Sequence, residues 1–147
     1  MDGLLEDLGI RTALRGDAQY NTEPETRDVF RMVVERGGLV IAAHIERWPS
    51  GFLETKESRS AKMAIHADTN VSALEITVAQ DREKWENGLV RGYPRKMACI
   101  QGSDAHSPGE VGRRPFFIAM DAPGLAPLRS AFVNWENAIA FPDELAD

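Results

Sequence analysis

The sequence predicts an α/β fold with a mostly parallel sheet, and three observations carry that expectation. Short apolar runs without polar alternation recur along the chain, as in strands covered on both faces by helices. Stretches with apolar residues at helical spacing lie between them, so helix and strand alternate. Residues able to do chemistry follow two of the apolar runs, directly or within a few residues, where α/β proteins collect their sites.

Thr22-Glu23-Pro24-Glu25 reads as a capping box with proline in the first turn. Val29, Phe30, Val33 and Val34 continue at helical spacing, and Gly37-Gly38 ends the helix. Residues 39–43, Leu-Val-Ile-Ala-Ala, form an unbroken apolar run, read as a strand buried on both faces. A helix is expected over 58–67 and a strand over 73–78. A second helix is expected over 81–90, with Trp85 and Leu89 on one face. Short strands follow at 97–100 and 115–120. The last helix, over 127–134, buries Leu128, Ala131 and Phe132. Residues 45–57 read as a long loop.

The chain is read as one domain over residues 1–147, since that length supports a real core. Hydrophobic residues make up 43% and charged residues 27%, which is ordinary for a globular protein. A net charge of -6 argues against a surface built to neutralise nucleic-acid phosphates. The single cysteine, Cys99, excludes an internal disulfide and suits a reducing compartment. It lies inside an apolar strand, so it is expected to be buried and inert. The acidic start, Asp2 to Asp7, carries no secretory pattern, and no segment has the roughly 20 apolar residues of a membrane span. A cytoplasmic protein without a membrane partner is the expectation.

His44 directly follows the 39–43 run, and Asp104 and His106 follow the 97–100 run in Gln101-Gly102-Ser103-Asp104-Ala105-His106. Residues two apart on an extended chain face the same side, so this carboxylate and imidazole could address one ion. Small residues around them leave room for a close approach. Mixed carboxylate and imidazole donors suit Zn, Mn or Fe better than Ca or Mg. Glu75 is the one charged residue in an apolar strand, and a buried carboxylate needs a cation or donors. It is the candidate catalytic residue. Arg47 and Arg113, with Arg114 beside it, lie near the same strand ends and could bind phosphate oxygens by paired N–H donors. His66, inside a helical stretch, is expected at the surface.

The order Gly37-Gly38 to Ala43-His44, then Ala73-Leu74-Glu75-Ile76, then Gly102-Ser103-Asp104-Ala105-His106 resembles the later motifs of the polymerase and histidinol phosphatase (PHP) superfamily. The resemblance covers about residues 25–135 and looks closest to the subgroup fused to a large ATPase. It implies the C-terminal part of a distorted (βα)7 TIM-like barrel with a two- or three-metal centre. It implies His44, Asp104 and His106 as metal ligands, Glu75 as an active-site neighbour, and hydrolysis of a phosphorylated small molecule or a nucleic-acid end. The chain departs from the family at His44-Ile45, where His-Pro is usual, and has no histidine upstream of His44. The expectation is therefore a partial barrel, inactive alone and completed by further chain, by a partner or by a dimer. The competing expectations are a non-catalytic scaffold or regulator of an associated ATPase, and a mononuclear iron site of His44, Asp104 and His106.

Overall fold

In the computed structural model, which describes residues 2–17 and 20–145, the centre is a three-stranded parallel sheet. Its strands are β1 (Val40–Ala42), β2 (Val71–Glu75) and β3 (Ala98–Ile100), in the order β1-β2-β3. The helices are α1 (Asp2–Asp7), α2 (Thr26–Glu35), α3 (Arg59–Ala67), α4 (Arg82–Glu86), α5 (Leu125–Val133) and α6 (Trp135–Ala138). A second, two-stranded ladder joins β4 (Phe117–Ile118) to β5 (Ile139–Ala140).

The sheet has this form because its middle strand is apolar on both sides. Val71, Ala73 and Leu74 of β2 are buried, as are Ala98, Cys99 and Ile100 of β3. Parallel pairing sets Ala73 opposite Ala98 and Leu74 opposite Cys99 in the ladder. Phe132 of α5 and Trp85 of α4 complete the core, with Ile45, Ile76 and Phe141. The expected inert cysteine is found in this core: Cys99 is fully buried, and burial raises its pKa.

A closed barrel gives every strand two neighbours. Here β1 and β3 each have one, and β4 pairs antiparallel with β5 away from them. The expected partial (βα)7 TIM-like barrel is thus corrected to an open three-stranded parallel sheet beside a small antiparallel ladder. The physical reason lies in the 115–120 run. It is apolar in sequence, but burial alternates along it and Phe117 is exposed, so only one face is covered. Such a segment suits an antiparallel ladder facing water, not another doubly covered strand. β1 is likewise an edge strand: Val40 is buried, while Ile41 is exposed rather than covered on both faces.

Smaller corrections have local causes. The helix expected from Thr22 begins at Thr26, because the Thr22 hydroxyl donates to Pro24 O instead of capping a helix. The helix expected over 81–90 stops at Glu86, where Gly88 turns the chain with φ +65°; Trp85 is buried but Leu89 is exposed. No helix among the described residues is long and apolar enough to cross a membrane.

Candidate functional site at the C-terminal rim of the parallel sheet

The sheet brings His44, Glu75 and the loop that carries Asp104 to one rim. After Ala42, Ala43 and His44 stand out of the ladder, and pairing resumes where Ile45 N–H donates to Glu75 O at 2.9 Å. The fully buried Ile45 anchors this bend. His44 itself has φ +37°. The turn then closes on His44 O, which accepts from the N–H of both Arg47 and Phe52. Gly51 is required there, since a Cβ would lie 2.3 Å from His44 O and 2.5 Å from Arg47 O.

On the facing strand, Glu75 ends β2 with its carboxylate turned to His44. Oε2 lies 3.3 Å from His44 Nδ1 and accepts from the His44 N–H at 3.4 Å. Nδ1 is close enough for an ion contact but not aligned for a hydrogen bond, so it is a buried nitrogen without a partner. Glu75 Oε1 fills the space over Gly102, where a Cβ would sit 2.9 Å away. The room left by glycine in this loop is thus taken by a carboxylate from the neighbouring strand.

Asp104 has φ +47°. It and His44 are the two non-glycine residues with positive φ among the described residues. Asp and His tolerate this region better than most side chains, at about 1 kcal/mol each. Asp104 is therefore not extended, and the alternation argument that placed Asp104 and His106 on one side does not hold. Their side chains still come near each other, with Oδ1 and Nε2 3.9 Å apart. The carboxylate of Asp104 is held by the Arg47 guanidinium. That hydrogen bond, followed by the charges of Arg47, His44 and His106, keeps the Asp104 carboxyl below the usual range. His106 stands 82% exposed. Glu110 fixes its backbone, accepting from the N–H of His106 at 2.6 Å and of Ser107 at 3.0 Å.

Neither arginine proposed from sequence as a substrate ligand is idle. Arg47 is spent on Asp104, and Arg113 turns into the loop, donating to Ser103 O at 2.6 Å, to Asp104 O at 3.0 Å and to Glu110. Sequence reasoning missed Glu46 and Glu110. Glu46 Oε1 accepts from Thr77 N–H at 2.7 Å and Val78 N–H at 3.1 Å, pinning the end of β2 to the His44 turn. Nothing in the sequence singles Glu46 out. Glu110 was legible: Ser107-Pro108-Gly109-Glu110 has the spacing of a capping box, and its glutamate half is formed, with Glu110 Oε2 accepting from Ser107 N–H.

Compared with known proteins, the chain matches no family model, no curated protein and no solved structure. The rim must therefore be judged on its own geometry.

The fit to a cation differs across the rim. Two donors each about 2.1 Å from one tetrahedral ion stand about 3.4 Å apart. His44 Nδ1 and Glu75 Oε2, at 3.3 Å, have that separation, and the nitrogen lacks any other partner. Asp104 and His106 do not complete the set, and no group of three His, Cys, Asp or Glu close enough to hold a metal occurs among the described residues. His44 and Glu75 offer one imidazole and one carboxylate, donors of the type that suit Zn or Mn, while Arg47 holds Asp104.

Proposed function

We propose that the rim is a divalent-cation site serving hydrolysis of phosphate esters, the chemistry of PHP-type phosphoesterases carried here on an open sheet. The observation that carries the reading is the orphaned Nδ1 of His44 facing the Glu75 carboxylate. Two residues held in the left-handed region at one rim support it, because backbone strain gathers at sites whose geometry is over-determined by their surroundings. A bound divalent ion would lower the pKa of a coordinated water and neutralise charge on the ester.

The chain's own residues supply the rest. His44 and Glu75 are the donors, and the bend that closes on His44 O keeps the ring at the strand end. Glu46 locks the two strand ends together, so their separation is set before any ion arrives. Arg47 neutralises Asp104 and is the group that must yield if Asp104 is to join an ion. Once free of Asp104, its guanidinium could pair with an ester oxygen.

The test is calorimetry of the metal-free chain with Mn2+ and with Zn2+, alongside hydrolysis of p-nitrophenyl phosphate. One ion is expected to bind, at least about tenfold more weakly in His44→Ala and Glu75→Gln, since each loses a first ligand. Hydrolysis is expected only with metal. Unchanged affinity in both variants would overturn the site. The second reading, a non-catalytic PHP-like module that scaffolds or regulates an associated ATPase, is favoured by one observation: Asp104 spends its carboxylate on Arg47. Metal binding without hydrolysis would move the balance to it.

A further inference from the structure

We propose that residues 102–105 form an anion cradle, in which the backbone N–H groups of Ser103, Asp104 and Ala105 take phosphate oxygens while Arg113 and Arg114 orient the loop from behind. The argument begins with three carbonyls. Arg114 donates from Nε to Gly102 O at 2.7 Å and from Nη2 to Ser103 O at 3.2 Å. Arg113 donates from Nε to Ser103 O at 2.6 Å and from Nη2 to Asp104 O at 3.0 Å. Three consecutive carbonyl groups are thus tied to two guanidinium ions.

In a trans peptide the carbonyl of one residue and the N–H of the next point in opposite directions. The cis bond among the described residues is Trp48-Pro49, so the peptides from 102 to 105 are trans. The N–H groups of Ser103, Asp104 and Ala105 therefore face away from both arginines. None of the three donates in any hydrogen bond found among the described residues. Ser103 and Asp104 are half-buried and Ala105 is exposed, so the loop reaches the surface.

The charges around this face nearly balance, so the N–H groups themselves must do the binding. Arg47 cancels Asp104, and Arg113 is paired with Glu110. Arg114 forms no ion pair among the described residues and sets its charge against that of the Glu75 carboxylate, which lies over Gly102 at the start of the loop. Consecutive free N–H groups next to a left-handed residue are a recurrent anion-binding arrangement. The role of Arg113 thereby changes from substrate contact to positioning: its donors face the chain, and the chain faces the anion.

The choice of phosphate rests on the phosphoesterase reading; the cradle itself does not need the metal. The experiment is a 15N–1H correlation titration of the full chain with inorganic phosphate in the presence of a chelator. The amides of Ser103, Asp104 and Ala105 are expected to shift most and to saturate together. In Arg114→Ala the apparent affinity is expected to fall about tenfold, the loss of one charged hydrogen-bonding group. Unmoved amides at 103–105 in the wild-type chain would overturn the proposal, whatever the variant does. Saturating shifts there without metal-dependent hydrolysis would sink the phosphoesterase reading alone. Hydrolysis with those amides unmoved would sink the cradle alone.

Discussion

His44 and His66 both leave ring nitrogens without a hydrogen-bond partner, yet they sit in opposite surroundings. His66 closes α3 and is 2% exposed, with Trp85 of α4 at 5.8 Å and Tyr93 at 5.1 Å between ring centroids. Both of its nitrogens are unpaired, as is Trp85 Nε1. The groups around it are rings and the cation of Arg95, while the nearby Asp68 is engaged by Arg27 and Asn70. At the rim, His44 faces a carboxylate. The surroundings of His66 exclude positive charge, whereas His44 is set against an acidic group.

The largest expected effect sharpens that contrast by acid. Burial, and then the charge of Arg95, lower the pKa of His66 from 6.5 to about 4. The folded chain therefore binds fewer protons than the unfolded chain between those values, so stability falls as pH drops from about 6.5 to 4. A shift of that size corresponds to about 3 kcal/mol. Urea unfolding at pH 7, 5 and 4 should show the loss, and His66→Phe, which keeps a ring but cannot titrate, should flatten it. An identical acid limb in the variant would show that the aromatic box does not exclude the proton.

An intermediate effect tests the boundary between the two halves of the rim. In Arg47→Met, Asp104 loses the hydrogen bond that depresses its pKa, and its carboxyl should return toward the ordinary range. In the wild-type chain the pair's stabilisation is present above the unfolded carboxyl value and fades as pH falls through the depressed one. Carbon-13 titration of the Asp104 carboxyl reads the change directly. If the metal reading is right, the same variant binds Mn2+ more tightly, because Asp104 no longer has a cation of its own. Equal or weaker binding would place Asp104 outside the ion's reach.

These contrasts also mark what the sequence could reveal. Strands expected over 73–78 and 97–100 meet β2 at Val71–Glu75 and β3 at Ala98–Ile100: their buried apolar residues made them legible, while Ser72 hid the start of β2. The edge status of β1 was not, because Ile41 is apolar yet exposed and only pairing order reveals an edge. His44, Glu75 and Asp104 were legible as residues at strand ends, whereas the left-handed backbone at His44 and Asp104 was not. His66 was misplaced at the surface: a helix of nine residues shows which face is apolar only when its partners are known, and Trp85 and Tyr93 come from distant sequence. The Arg47–Asp104 pair spans 57 positions, beyond anything spacing can show.

The smallest expected effect decides whether the outer half of the rim belongs to the site. His106 is 82% exposed, and the brace on its loop runs through its backbone N–H to Glu110, not through its ring. His106→Ala should therefore change stability by no more than about 0.5 kcal/mol. Glu110→Gln weakens a carboxylate that accepts two N–H groups, and should loosen the loop while leaving the imidazole in place. If His106→Ala costs no stability but weakens Mn2+ binding, the ring must swing inward when the ion arrives, and Arg47 must leave Asp104 at the same time. If binding is indifferent to His106 and lost in His44→Ala, the ion rests on the inner pair alone. The outward histidine is then a feature of the loop that carries Asp104, and the left-handed turn at Asp104 serves to present N–H groups instead of a second ligand.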